Sequence, residues 1–177
     1  SNVKSSIIEN SIFEDNGNTR LNGFVIKSLS EVLTFTNNII NFSSLDKSAN
    51  ALSVPQTSKL TVTKSTFTKC YFKFAGFDSA SAIHYEGEER SGVDEEIVIQ
   101  GNTFSDNGGD HSSCLFIQCR ELPLIQNLTF ANNNQDEQKS ALWNIVVRFL
   151  KRPDEFTFEK IIFENNYFRH PTEKNGG

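Results

Sequence analysis

Apolar residues in this chain come in short alternating runs. In the stretch 97–107, "IVIQGNTFSDN", Ile97 and Ile99 alternate with polar neighbours, a bend follows, and Phe104 starts a second short run. Leu115 and Ile117 repeat the alternation further on. A period of two marks a pleated strand with one face inward, whereas a helix needs a period near 3.6, and no convincing helical segment is found. The same shape returns in "LTVTKSTFTKC" (60–70), "PLIQNLTFANN" (123–133) and "FTFEKIIFENN" (156–166).

Aligning these stretches on their aromatic residue gives the series Phe13, Ile40, Phe67, Phe104, Phe130 and Phe163, with gaps of 27, 27, 37, 26 and 33 residues. Those gaps lie in the range of a solenoid repeat, ~20–45 residues. Three positions after each comes Asn16, Ser43, Cys70, Asn107, Asn133 or Asn166. Further on, a small residue precedes a larger apolar one: Gly23-Phe24, Ala51-Leu52, Ala82-Ile83, Cys114-Leu115 and Ala141-Leu142. In the second unit Phe35 to Asn38 offers a competing register.

The expected fold is all-β: a right-handed single-stranded parallel β-helix of about six coils, each with three short strands. One coil cannot bury its own apolar face, so the unit must recur. The aromatic series should stack inside, and the Asn series should turn the corners and bond coil to coil. Thr34, Thr36, Thr61, Thr63, Gln100 and Gln126 fall at outward positions of the first strand, as suits a solvated pleated surface. Residues 1–177 form a single domain, and the absence of a capping helix leads us to expect a segment of a longer solenoid, because open sheet edges invite association.

Composition agrees with many strands and many turns: 16 Phe, four Pro and no Met in 177 residues. The net charge of −5 argues against nucleic acid, which wants a basic stripe. No apolar run is long enough to span a bilayer, so membrane attachment would come only through regions outside this segment. Cys70, Cys114 and Cys119 lack CxxC spacing and read as buried thiols, with no zinc site and no disulfide framework. No cofactor or metal is expected; Asp106, Asp110 and His111 share one turn but supply too few ligands for calcium. Asn41-Phe42-Ser43 and Asn127-Leu128-Thr129 are glycosylation sequons, relevant only in a eukaryotic secretory pathway.

In a solenoid, function belongs to the parts that break the repeat. Two such parts leave the corner after the third strand: "EGEERSGVDEE" (86–96), with Glu88 and Glu89 among six acids, and "VVRFLKRPDE" (146–155), with Arg148, Lys151 and Arg152. Between them the chain passes that corner quickly at "CREL" (119–122), which holds Arg120. The loops would stand about 10 Å apart, two strand spacings, and either wall a groove or pair with each other. If Ile83, Leu115 and Leu142 point inward, then His84, Phe116 and Trp143 form an outward aromatic ladder, with Val25 and Ser53 as its earlier members. Such a ladder suits sugar stacking or a protein partner, unless the loops fold over it as a satellite core. No outward column of carboxylates appears; Arg120 and Arg148 near Asp94 or Glu121 make the best catalytic constellation, and it is poor. A binding module is therefore expected before a polysaccharide-processing enzyme or a pure spacer rod.

The F-x-x-N stretches "FEDN" (13–16), "FSDN" (104–107), "FANN" (130–133) and "FENN" (163–166), with "NAL" (50–52), "SAI" (81–83) and "SAL" (140–142) as reduced forms of a G-G-A-[I/L/V] motif, give the chain a resemblance to the passenger domains of the chlamydial polymorphic membrane proteins. It covers roughly residues 5 to 168. It implies a secreted, autotransporter-like, cell-surface β-helix that adheres to a host-cell protein or glycan.

Overall fold

The computed structural model describes residues 3–15, 23–42, 49–55, 57–72, 80–87, 94–109, 113–133 and 143–166. The first coil holds β1 (Ser5–Glu9), β2 (Ile12–Glu14) and β3 (Gly23–Lys27); the second holds β4 (Val32–Thr36), β5 (Ile39–Asn41) and β6 (Ala49–Pro55). The third has β7 (Lys59–Thr63), β8 (Thr66–Thr68), β9 (Tyr71–Phe72) and β10 (Ala80–Glu86). The fourth has β11 (Glu96–Gln100), β12 (Thr103–Ser105), β13 (Gly108–Gly109) and β14 (Ser113–Cys119). In the fifth, β15 (Leu124–Ala131) runs through the first corner without a break, and β16 (Trp143–Phe149) follows; β17 (Glu159–Glu164) begins one coil more.

Each strand pairs in parallel with its equivalent one coil away, as in β4 with β7 and β10 with β14. First and second strands together make a ten-stranded sheet, joined through β15, and the third strands make a five-stranded sheet in the order β16-β14-β10-β6-β3. The described residues are thus an all-β parallel solenoid. Its five third strands are separated by four full turns, so the coil count falls slightly below the six read from the sequence.

The first corners, and the second corners except the one at Phe42, are each made by one residue in the left-handed backbone region. At the first corner these are Asn10, Asn37, Lys64, Gly101, Asn127 and Lys160; at the second they are Asp15, Lys69, Asp106, Asn132 and Asn165. Gly and Asn adopt that conformation at low cost, whereas a lysine there is strained by about 1 kcal/mol. A strand bent this way leaves a carbonyl at position i and an N–H at i+3 without ladder partners, and buried backbone groups must be paired.

Asparagine from the next coil supplies both partners. Asn107 accepts the Cys70 N–H (2.8 Å) and donates to the Phe67 carbonyl (2.9 Å). Asn133 does the same for Asn107 and Phe104, and Asn166 for Asn133 and Phe130. This is the physical content of F-x-x-N: the Phe carbonyl and the Asn N–H frame a gap that one amide from the adjoining coil fills. The first corner uses the same device, with Asn38 bridging Ser11 and Ile8 and Asn102 bridging Ser65 and Val62. Phe35-x-x-Asn38 sets the same frame at the other corner, where the Ser65 hydroxyl takes the Asn38 N–H in place of an amide, and Ile40 keeps its place between Phe13 and Phe67.

The interior is a stack of rings. Phe67, Phe104, Phe130 and Phe163 follow one another at 5.3, 4.7 and 5.4 Å between centroids. Ile40 has no ring to contribute, and Phe35 from the first strand fills the interval, 6.5 Å from Phe13 and 6.0 Å from Phe67. Full burial of each ring contributes about 2 kcal/mol, and offset stacking adds about 1 kcal/mol per pair. Phe163, the last ring, is 55% exposed.

Candidate functional site

Pairing across the third sheet fixes the expected aromatic column. His84 lies between Ser53 and Phe116, and Phe116 lies between His84 and Val146. The His84 and Phe116 rings meet at 5.1 Å, tilted by 43°. Trp143 is not in this column: it pairs with Ser113, and Val146 takes the place expected for it. At the other end Lys27, and not Val25, is the member beside Ser53. Both errors have one cause. The small-then-apolar mark locates the third strand in coils two to four, where Leu52, Ile83 and Leu115 share a column, but Ile26 and Ile145 continue that column in coils one and five. The corner between second and third strands varies in length, so the mark slips where that length changes.

The expected free aromatic face is also corrected. Phe116 is 1% exposed and Ser53 5%, so the middle of the column is buried, while Lys27, Glu86 and Arg148 on the same side stay exposed. His84 is half-buried; its Nε2 lies 3.0 Å from Glu86 Oε1, and its Nδ1 is buried without a hydrogen-bond partner among the described residues.

The corner that follows is held by a residue the sequence reading passed over. Glu95 is buried, and its Oε2 accepts the N–H groups of Arg120 (2.6 Å) and Glu121 (2.9 Å) in the neighbouring coil. Its Oε1 meets the hydroxyl of Tyr85 at 2.9 Å, and that hydroxyl also reaches the Thr57 carbonyl at 2.6 Å. Gly87 lies against the carboxylate: a Cβ there would collide with Glu95 Oε1 and press on the Gln118 carbonyl. The Gly87 N–H donates to that same carbonyl at 2.8 Å. A signal for Glu95 did exist, because it is in phase with the inward Ile97 and Ile99 and so was due to face the interior.

Its neighbours turn outward. Lys59 lies 3.2 Å from Asp94 and 3.6 Å from Glu96, and the hydrogen bond to Asp94 followed by the two negative charges holds its ammonium above the usual lysine range. The return limb of the acidic loop is thus bound to its own protein. Glu88 and Glu89 lie outside the described residues. Glu86, Gln118 and Arg148 share a column, so the two loops do leave one corner two strands apart. The second loop is shorter than expected, since β16 takes 146–149. Arg148, Lys151 and Arg152 are exposed and Arg120 is half-buried. Beneath them Phe149 and Phe156 meet edge-on at 5.0 Å, and Phe156 and Phe158 at 4.7 Å. The Leu150 N–H donates to the Cys119 carbonyl at 2.7 Å.

The three cysteines are buried free thiols. Burial pushes Cys114 and Cys119 up to about 12 and raises Cys70 well above the usual thiol value, so all three stay protonated near neutrality and are poor nucleophiles. Among the described residues no group of three or more His, Cys, Asp or Glu is arranged to hold a metal, and no helix is long and apolar enough to cross a membrane.

No family model matches the chain, and neither does any curated protein or solved structure. The class is therefore defined by the fold: a parallel β-solenoid with one anchored, loop-bearing corner.

Proposed function

We propose that this chain is a segment of an extracellular or cell-surface β-helix adhesin, akin to the chlamydial passenger domains, that binds a host protein or glycan. The contact runs through the corner after the third sheet and not through the ladder of His84 and Phe116. The observation behind this reading is the contrast at that corner. Glu95 ties the backbone of two coils together, while Arg148, Lys151 and Arg152 stand exposed beside it with the exposed Leu122. Basic side chains on a rigid base match an anionic glycan or an acidic protein surface, because little ordering is left to be done on binding. The net charge of −5 speaks against nucleic acid as that partner.

The test is a triple charge reversal, Arg148→Glu with Lys151→Glu and Arg152→Glu, measured against the unaltered chain on host cells and on immobilised sulfated glycan. A tenfold or greater loss is expected. Equal binding by the triple variant, or no binding by the unaltered chain, overturns the reading. The second outcome favours a spacer rod, a reading that the unbroken ring stack also supports.

A further inference from the structure

The fold separates the two sequons. In Asn127-Leu128-Thr129 the Asn sits at a first corner, exposed, with φ of 53°. Leu128 is fully buried and pins the turn from below, while Thr129 lies half-buried in the outer rank between Thr103 and Ile162. The corner next to Asn127 on one side is Gly101, which follows the paired Gln100 and Gln126. That corner is open ground, since even a Cβ built on Gly101 would meet only Lys64, at 3.9 Å. Asn41-Phe42-Ser43 is placed differently. Asn41 is inside strand β5, half-buried, with its Oδ1 buried and unpartnered, and Phe42 is fully buried in the core. Ser43 lies outside the described residues.

We infer that Asn127 is an acceptor for an N-linked glycan. A sequon becomes an acceptor where its amide stands clear of the surface and the hydroxyl residue lies on accessible strand, and of the two sequons the Asn127 corner meets both conditions. In the transfer a bond forms between Nδ2 and the anomeric carbon of an oligosaccharide. The bond broken joins that carbon to the diphosphate of a lipid-linked donor, which leaves with the electron pair while the amide gives up one proton. The glycan would project over Gly101 and screen apolar area on the same sheet, where Leu124 is 46% and Ile162 49% exposed. Screening of that kind keeps an exposed sheet face from associating with other chains.

This inference needs a eukaryotic secretory route and does not rest on the likeness to the bacterial passenger domains; with the proposed function it shares only an extracellular destination. The test is secretion of the full 177-residue chain behind a cleavable leader from a eukaryotic cell line, followed by intact-mass and glycopeptide analysis. Asn127 should be occupied in most molecules, and enzymatic release of the sugar should leave Asp at that position. Asn127→Gln and Thr129→Ala should each abolish this glycan, the second keeping the Asn that the turn favours. Secreted, folded protein with an unmodified Asn127 overturns the inference, whether or not Asn41 carries sugar. Glycan binding by the basic corner is read on enzymatically deglycosylated protein, so the two claims fail separately.

Discussion

Two corners of this solenoid solve the same problem in opposite ways. At the second corner the orphaned backbone groups of coils three to five are bonded by an asparagine of the next coil, at Asn107, Asn133 and Asn166. After the third strand the chain also leaves N–H groups without ladder partners, but there a single carboxylate, Glu95, takes two of them, from Arg120 and Glu121. The repeated solution spreads its contribution over many coils, so losing one copy is a local injury. The single solution concentrates charge, burial, two backbone hydrogen bonds and a hydroxyl contact in one side chain, and the loops around it have no second copy of that residue to fall back on.

The comparison is broken most forcefully at Glu95. Glu95→Ala takes the acceptor from two part-buried backbone N–H groups and a partner from the Tyr85 hydroxyl. Hydrogen bonds to a charged group contribute about 1.5–3 kcal/mol each, so a loss of about 3 kcal/mol or more is expected in denaturant unfolding. Glu95→Gln keeps an oxygen for the N–H groups and should lose less. Gly87→Ala attacks the same anchor from the other side, since the added carbon collides with the carboxylate and with the Gln118 carbonyl behind it. Its expected cost is about 2 kcal/mol, in the range of overpacking, and it should be much reduced in the Glu95→Ala background. Additive losses would show that the two residues do not act as one contact.

At the repeated corner, Asn107→Ala removes an acceptor from the Cys70 N–H and a donor from the Phe67 carbonyl, both buried. About 2 kcal/mol is expected. A cysteine stands at each corner, so thiol labelling tells the two injuries apart: Cys70 donates its N–H to Asn107, and Cys119 immediately precedes the Arg120 that Glu95 holds. In the unaltered protein the buried, protonated thiols should label only through opening of the structure. Asn107→Ala should speed Cys70 more than Cys119, and Glu95→Gln should do the reverse. Equal acceleration of both would mean that the corners open as one unit.

The same contrast explains what was legible in the sequence. The ring column could be read because Phe13, Phe67, Phe104, Phe130 and Phe163 recur at one phase, and so could the Asn column beside it. Repetition lets each copy check the others. Glu95 occurs once, in a run of acids that reads as a solvated loop, and only its phase with Ile97 and Ile99 distinguishes it. The burial of Phe116 could not be read because strand parity gives the side of the sheet and not what lies over it. Spacing alone puts Trp143 in the wrong column because the preceding corner differs in length from coil to coil, and a two-residue mark cannot count turn residues.

The smallest effect tests whether the asparagine device can be completed where it is half made. Ser65 occupies the first corner of the third coil, between Asn38 and Asn102, and is 1% exposed. Its hydroxyl accepts the Asn38 N–H at 3.1 Å, which is the acceptor half of the asparagine role, and donates to its own Thr63 carbonyl at 3.0 Å. It has no amide to offer the Phe35 carbonyl, the counterpart of the Ile8 and Val62 carbonyls that Asn38 and Asn102 serve. Ser65→Asn should supply both halves and stabilise the protein by about 1 kcal/mol, the net value of one added hydrogen bond. A shift of the unfolding midpoint to higher denaturant with an unchanged slope is the expected reading. Destabilisation would mean that the interior at coil three has no room for an amide, and that serine there reflects packing and not an incomplete copy of the repeat.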